Sequence, residues 1–191
     1  MAECEVALAG SDSVFIGLYN PKSPSNVGAV MRAAGCYEAD AVRYTGVRFE
    51  RAARFNTDTR KILDSLTLTG TDDLLSDLPD DMTVVCVEFA EGATPLPDFV
   101  HPQRAIYLFG PEDGNLSQEL VNRASHVVYV PTVGCMNLAA TVNVVLYDRL
   151  AKKPAGIDSE VAIKRSRDNN NRLRVNVANG VTNKETDRDP V

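Results

Sequence analysis

The chain has 191 residues, of which 44% are apolar, and its formal net charge is −6. This length and composition predict one main globular domain with an appendage, and they exclude a disordered or collagen-like chain. No apolar run approaches the roughly 18–20 residues of a membrane span, and the opening MAECEVALAGSDS lacks the segments of a secretory signal, so we expect neither a membrane nor a secreted protein.

The first third of the chain alternates between apolar runs and turn-forming residues. Residues 14–18 predict a buried strand, and the Asn-, Pro- and Ser-rich residues 20–26 predict a turn. Apolar residues at helical spacing predict a helix over 26–35, and a second strand follows at 41–45. Residues 46–61 are rich in Arg and are predicted to be irregular.

The same alternation continues to residue 150. A helix over 72–78 is expected to stop at Pro79, and Ser117 is expected to cap a later helix. Leu116 and Val121 are placed to form a hydrophobic staple around that cap. The remaining predicted elements are strands at 83–89, 104–109 and 126–130, a helix from Ser117 through Ala124, and a long helix over 136–150.

Strands rich in β-branched residues and separated by helices predict an α/β fold with a mainly parallel sheet. In such sheets, ligands bind beyond the carboxyl ends of the strands. Four loops rich in Gly, Pro and Asn are expected there, at 20–26, 90–97, 110–116 and 131–136.

The charge is uneven along the chain. Residues 1–150 hold 11 Lys and Arg against 20 Asp and Glu, whereas residues 151–191 hold 9 against 6. We therefore predict a main domain over 1–150 and a polar, locally basic tail over 151–191, in which the Asn-rich segment 164–174 is expected to be disordered. The acidic body disfavours a classical nucleic-acid binder without excluding a local basic patch.

The cysteines show no metal-binding pattern. Cys4, Cys36, Cys86 and Cys135 lie far apart without a CxxC motif, so we expect no zinc site and reduced thiols in a cytoplasmic protein.

Several common enzyme motifs are absent, among them GxGxxG, the phosphate-binding loop with its lysine, and GxSxG. Cys135 with His126 is a conceivable nucleophilic pair, although a surface or helix-terminal histidine is the more common interpretation. Glu112 and Asp113 are a conceivable acid–base pair, although adjacent loop carboxylates are more often solvated.

Three segments together resemble a known family. They are NPKSPSNVGAVMRAAG at 20–35, LFGPEDGNLS at 108–117 and VPTVGCMNLAA at 130–140. In this order and spacing they resemble the three motifs of the SpoU/TrmH branch of the SPOUT methyltransferases, over about residues 13–150.

The resemblance implies a function and an assembly. Members of this branch transfer a methyl group from S-adenosylmethionine, usually to a ribose 2′-hydroxyl of tRNA or rRNA, and are usually homodimers. Here tRNA is favoured, because the minimal domain resembles tRNA-modifying members. The resemblance also implies a deep trefoil knot over 105–150, which general rules of chain topology would not predict.

The motifs also imply functional residues. Arg32 matches the main catalytic residue. Because a guanidinium resists deprotonation, we favour a clamp on an RNA phosphate over a general base, and Asn26 on the same predicted helix is expected to flank the same substrate group. Glu112 is expected to bond to loop or substrate groups. Asn137 is expected to hold Arg32 or the amino-acid end of the cofactor, besides capping a helix.

The cofactor is expected to be bound mostly by backbone groups in tight loops, with apolar walls. The candidate residues are Glu88, Phe89, Gly110, Val130, Cys135, Met136 and Leu138. Cys135 replaces the serine usual in the third motif and is a weaker hydrogen-bond donor. The segment from Pro131 to Cys135 is also short for the family.

Two basic clusters are candidate RNA contacts, because phosphate contacts supply affinity without sequence choice. The first comprises Arg48, Arg51, Arg54, Arg60 and Lys61, and the second Lys164, Arg165, Arg167, Arg172 and Arg174.

Three hypotheses follow. The first is a ribose 2′-O-methyltransferase acting on RNA. The second is a non-catalytic RNA-binding relative with the same fold, and the third is an unrelated α/β enzyme acting on a small molecule.

Overall fold

The computed structural model describes residues 12–53, 66–153, 159–167 and 170–174. The chain separates into two compact units, residues 1–156 and 157–191, and each is described by itself. Among the described residues, no helix is long and apolar enough to cross a membrane.

The first unit contains seven strands and four α-helices among its described residues. The strands are β1 (Ser13–Leu18), β2 (Ala41–Tyr44), β3 (Thr67–Gly70), β4 (Thr83–Val87), β5 (Thr94–Pro95), β6 (Arg104–Phe109) and β7 (His126–Tyr129). The helices are α1 (Pro24–Cys36), α2 (Arg48–Ala53), α3 (Gln118–Arg123) and α4 (Leu138–Ala151), with a short 3₁₀ turn at Leu96–Asp98.

The strands form one sheet in the order β3-β2-β1-β6-β4-β7-β5. Every neighbouring pair is parallel; β1, for example, lies between β2 and β6, with Gly17 opposite both Arg43 and Leu108. All the carboxyl ends therefore lie at one edge of the sheet. The predicted α/β class with a parallel sheet is confirmed, and the knot implied over 105–150 stays a prediction.

Hydrophobic residues cover both faces of the sheet. On one face α1 and α4 pack against β1 and β6, burying residues such as Val30 and Val142 completely. On the other face Leu116 and Leu120, at the start of α3, pack with Ile106 and Leu108 of β6. The central strands are buried on both faces, which is why their sequences are nearly continuous apolar runs.

Helix ends follow the predicted signals. The Ser117 hydroxyl accepts a hydrogen bond from the Leu120 N–H (3.3 Å) and caps α3, while Leu116 and Val121 both pack into the cluster beneath it. Ser23 caps α1 through the Asn26 N–H (3.4 Å), with Pro24 in the first turn.

The helix predicted over 72–78 is wrong, because the chain forms turns there. The Asp73 carboxylate accepts the Leu75 N–H (3.0 Å), and the Thr71 hydroxyl accepts the Asp73 N–H (3.3 Å). These side chains offer the backbone a local alternative to the helical hydrogen bonds.

The irregular structure predicted for 46–61 is also wrong in part, because residues 48–53 form α2. Tertiary contacts stabilise this short helix. Phe49 packs edge-to-face on Tyr44, with ring centroids 5.0 Å apart, and the Tyr44 hydroxyl donates to Glu50 (3.0 Å). Residues 54–61 lie outside the described part of the chain. The strands β3 and β5 were not predicted; they have only four and two residues.

The second unit contains α5 (Ser159–Ser166). The disorder expected over 164–174 is therefore wrong for residues 164–166. Glu160 and Lys164 are one helical turn apart and form an ion pair of 3.4 Å, which favours helix at this position.

A buried polar network joins α4 to the amino edge of the sheet. Arg149, whose side chain is only 6% exposed, pairs with Asp12 and donates to the carbonyls of Pro102 and Gln103 and to the Tyr107 hydroxyl. One buried guanidinium thus serves several acceptors, of which the Tyr107 hydroxyl is the most buried, and its removal leaves them all without that donor.

We expect Arg149→Met to lower the free energy of unfolding by about 2 kcal/mol, because it removes a buried guanidinium that is hydrogen-bonded to the Tyr107 hydroxyl and to two backbone carbonyls. The matched control is Arg123→Met, which removes an ion pair with Asp73 in which both side chains are 41% exposed, and it should cost less than about 1 kcal/mol. Urea denaturation of both variants measures the difference. Equal losses would contradict the structural role given to Arg149.

Candidate active site

The carboxyl edge of the sheet gathers three of the four loops that the sequence singled out. The loops at 20–26, 110–116 and 131–136 follow β1, β6 and β7, and α2 begins shortly after β2. The expectation is confirmed for these three, whereas 90–97 contains β5 and ends at Pro97, which lies in a different pocket beside Asp12 and Arg149.

Glu112 connects two of the loops at this edge through hydrogen bonds. Its Oε2 accepts the backbone N–H of Lys22 (2.9 Å), and its Oε1 accepts the backbone N–H of Ser23 (3.0 Å) and the Asn26 side-chain amide (2.9 Å). One carboxylate after β6 therefore fixes the loop that joins β1 to α1.

Asn26 extends the chain of hydrogen bonds to the third motif. Its Oδ1 accepts the side-chain amide of Asn137 (3.0 Å). The Oδ1 of Asn137 in turn accepts the N–H groups of Ala139 (2.9 Å) and Ala140 (3.3 Å), so Asn137 caps α4. Glu112, Asn26 and Asn137 thus form one continuous network across three loops.

Arg32 lies apart from this network. Six residues of ideal helix separate it from Asn26 by about 9 Å along the axis and about 240° around it. The side chain of Arg32 is exposed, on the same stripe of α1 as Ser25 and Ala29, and it does not line the cavity described next. Among the described hydrogen bonds of this chain, Asn137 donates to Asn26 and not to Arg32, and the role expected of Arg32 toward a substrate group stays a prediction.

A cavity of about 320 Å³ opens beside the network, within the range of about 300–1,000 Å³ typical of small-molecule sites. It is lined by all seven candidate cofactor residues: Glu88, Phe89, Gly110, Val130, Cys135, Met136 and Leu138. Sequence reasoning missed several other lining residues, including Phe109, Asn115, Tyr129, Thr132 and Thr141. The parallel topology brings Tyr129 and Phe109 there as the last residues of their strands, a signal that strand assignment alone could supply.

Gly110 and Glu88 define one wall of the cavity. The Glu88 carboxylate accepts the N–H of Phe89 (2.9 Å) and that of Leu116 (2.9 Å), which ties the end of β4 to the loop after β6. A Cβ on Gly110 would lie 3.1 Å from the Leu116 nitrogen and 3.3 Å from the Glu88 carboxylate. Glycine is therefore needed where these two loops approach each other.

The two adjacent carboxylates are not an acid–base pair. Burial alone would raise the pKa of Glu112, but its hydrogen bonds from Asn26 and from backbone N–H groups outweigh burial and lower it. The hydrogen bond from Arg48 lowers the pKa of Asp113, with a smaller effect from Lys22. Both groups stay ionised and hold cations or N–H donors, so neither is available to donate a proton near neutral pH.

The conceivable pair of His126 with Cys135 is also wrong. His126 begins β7 at the amino edge of the sheet and packs against Phe99, whereas Cys135 lies in the loop beyond the other end of that strand. Cys135 is an exposed, free cysteine on the cavity wall. In the described part of the chain, no group of three or more His, Cys, Asp or Glu is arranged to hold a metal ion.

The first basic cluster is only partly described. Arg48 and Arg51 lie on α2 beside the carboxyl edge, and Arg54, Arg60 and Lys61 lie outside the described residues. The second cluster, Lys164, Arg165, Arg167, Arg172 and Arg174, consists of exposed residues of the second unit.

One known family matches the part of the chain that carries this arrangement. The model of the SpoU rRNA Methylase family matches residues 13–147, which include all three motif loops. No curated protein matches the chain significantly.

Solved structures share the fold. The SpoU methyltransferase AviRb from Streptomyces viridochromogenes, in complex with the cofactor AdoMet, has a TM-score of 0.61 and 21% identity over 77% of this chain and 60% of that one. The chain thus spans about three fifths of AviRb.

Two other structures are covered almost completely. The A. aeolicus TrmH/SpoU tRNA modifying enzyme has a TM-score of 0.63 and 14% identity, over 83% of this chain and 91% of that one. A structure described as giving insight into the 2-OH methylation of C/U34 on tRNA has a TM-score of 0.59 and 25% identity, over 78% and 96%.

We expect Glu112→Gln to lower the free energy of unfolding by about 0.5–1 kcal/mol at pH 7, because an amide offers one acceptor oxygen and turns an NH₂ group toward N–H donors at a solvent-exposed site. The lowered pKa of Glu112 means that its contribution is complete above its usual value of 4.5 and is lost as the pH falls through the folded-state pKa. Urea denaturation between pH 7 and pH 3 measures the difference from wild type.

The control for this series is Glu91→Gln, which removes the same charge from an exposed loop position. A difference for Glu112→Gln that persisted unchanged at pH 3 would show that the ionised carboxylate is not what holds the loops together.

Proposed function

The chain belongs to the SpoU rRNA methylase family, and from this premise we propose that it is an S-adenosylmethionine-dependent RNA methyltransferase that modifies a ribose 2′-hydroxyl. The observation that carries the proposal is the network of Glu112, Asn26 and Asn137, which joins all three motif loops beside one cavity. An unrelated small-molecule enzyme is disfavoured by the family match over 13–147.

The cavity suits the proposed cofactor. Val130, Leu138 and Phe109 supply apolar walls for a flat adenine ring, and Gly110 lets backbone groups approach its polar edge. The AdoMet complex of AviRb shares this fold and supports the same choice of cofactor. In this chain Glu88 holds the wall formed by the loop after β6 in place.

When bound, S-adenosylmethionine supplies a methyl group on a positively charged sulfur, which the attacking ribose oxygen displaces. The chain's own residues then mainly position the reactants and exclude water. Glu112, Asn26 and Asn137 fix the loops, and Arg32 grips the phosphate next to the reacting hydroxyl through charge-assisted hydrogen bonds. The hydroxyl proton passes to that phosphate or to solvent.

tRNA is the favoured substrate, with rRNA as the alternative. The chain covers 96% of the structure concerned with the 2-OH methylation of C/U34 on tRNA and only about three fifths of AviRb. A chain matching the minimal domain recognises RNA through that domain itself. A cytoplasmic location is part of the same proposal.

The active form is a homodimer. Arg32 is exposed and lies outside the cavity of its own chain, on a stripe of α1 with the small residues Ser25 and Ala29. Close approach of this stripe to a second copy would bring Arg32 toward the partner's cavity, in a two-fold interface that forms both sites at once.

We expect the purified protein to bind S-adenosylmethionine by calorimetry and to transfer labelled methyl groups to bulk tRNA, with 2′-O-methylnucleosides identified by mass spectrometry. Arg32→Ala should lower kcat by at least about 100-fold, because it removes a charge at the reacting group. A non-catalytic relative would bind RNA without producing any methylated nucleoside, and a folded protein without cofactor affinity would contradict the proposal outright.

The dimeric site is tested by mixing two inactive variants. Gly110→Val pushes against the Leu116 nitrogen and the Glu88 carboxylate and so distorts the cavity wall, whereas Arg32→Ala leaves the cavity intact. Differently tagged chains co-expressed at equal levels should recover about a quarter of the wild-type activity, because half of the dimers carry one complete site. Absence of recovery in the isolated mixed dimer would show that Arg32 acts on the cavity of its own chain.

A further inference from the structure

An ion cluster lies at the rim of the candidate site and has no part in the network of Glu112. Arg48 Nη2 donates to both oxygens of the Asp113 carboxylate, at 2.9 and 2.7 Å, and Lys22 Nζ lies 3.4 Å from the same group. Asp113 lies in the loop after β6, Arg48 at the start of α2 and Lys22 in the loop after β1. Two cations from different segments of the chain thus face one carboxylate.

The backbone of the cluster is held in place at Lys22, whereas its side chains are accessible to solvent. The Lys22 backbone is held by Glu112, the residue before Asp113, at 2.9 Å. The side chains are 31% exposed for Arg48, 48% for Asp113 and 63% for Lys22. Exposed ion pairs contribute little free energy, so another anion that reaches the two cations can replace the carboxylate at small cost.

The position of the cluster matters for the proposed substrate. Pro111, Glu112 and Gly114 line the cavity, and Asp113 lies between them in sequence and points its charge at Arg48 and Lys22 instead. If the methyl group is presented from this cavity, the backbone phosphates next to the reacting ribose approach the same loops from outside. A phosphate there has the same kind of oxygens, and the same single negative charge, as the carboxylate already bound.

We propose that Asp113 occupies, in the free protein, the place of an RNA backbone phosphate between Arg48 and Lys22, and is displaced when RNA binds. This inference rests on the proposed function. The displaced carboxylate holds the two cations in position before binding, and it also lowers the affinity for phosphates in general. Binding then depends more on the contacts made inside the cavity, which favours RNAs that place the correct ribose there.

The test is Asp113→Asn, which keeps the shape of the side chain and removes its charge. We expect bulk tRNA to bind about two- to tenfold more tightly in low salt, the range of one or two exposed ion pairs. The plot of log affinity against log salt should steepen by about 0.7–0.9 for each phosphate whose neutralisation no longer requires release of Asp113. Fluorescence anisotropy at several KCl concentrations measures both quantities.

Two further variants complete the experiment. Asp81→Asn removes an equal charge from an ion pair with Arg104 at the amino edge of the sheet, and it should change the affinity by less than about twofold. Adding Arg48→Gln to Asp113→Asn should abolish most of the gain. Thermal melts check that all variants are folded.

The outcomes separate this inference from the proposed function. Weaker binding by Asp113→Asn, or an unchanged affinity and salt slope, overturns the role given to Asp113 even if the wild type methylates tRNA. Loss of methyl transfer with the expected salt behaviour intact overturns the proposed enzyme and leaves the phosphate mimic standing. A wild-type protein that binds no RNA overturns both.

Discussion

The candidate site depends on one carboxylate placed to accept three hydrogen bonds from another loop. Glu112 follows β6, and its donors lie at 22–26, after β1. These two strands are neighbours in the sheet, so the tether spans a short distance set by the strand spacing. Because the donors are mainly backbone N–H groups, the bond fixes the path of the loop rather than the rotamer of one side chain. The cavity can therefore keep its shape without a bound ligand.

Each motif contributes a different physical element to that arrangement. The first motif supplies backbone N–H donors and the side-chain amide of Asn26. The second motif supplies the carboxylate of Glu112. The third motif supplies the side-chain amide of Asn137, which also caps α4. Asn26 can link the other two because its side chain both donates and accepts. A side chain that could only donate or only accept would lose the hydrogen bond to Asn137 or the one to Glu112. The resemblance therefore depends on the residue types in the motifs as well as on their spacing.

The sequence predicted most of the strands, the start of α3 and the motif loops correctly, because the signals for these features are local. Buried parallel strands appear as apolar runs, Ser117 marks a helix start, and the motif spacing identifies the loops that meet. The two wrong helix predictions share a cause in short-range side-chain contacts that hydrophobic periodicity does not register. Asp73 and Thr71 redirect the backbone over 72–78, whereas Tyr44 supports a helix at 48–53 through contacts with Phe49 and Glu50. Six residues along a helix do not return to the same face, so Asn26 and Arg32 lie on different faces of α1 and the role expected of Arg32 stays a prediction.

The distribution of ionisable groups limits the chemistry that this edge can perform. The sequence contains two histidines, and both lie at the amino edge: His126 begins β7, and His101 is buried against Tyr107 and Asp148. At the carboxyl edge, the pKa values of Glu112 and Asp113 are both lowered, and each carboxylate is occupied by donors. The two histidines are therefore remote from the cavity, and Glu112 and Asp113 are already engaged by hydrogen-bond donors. In the proposed reaction, these groups contribute by orienting the loops and by setting the charge near the substrate. Lys22, Arg48 and Arg51 are described cations beside this edge, and the proposed role of Asp113 is to set how freely Lys22 and Arg48 can bind a phosphate.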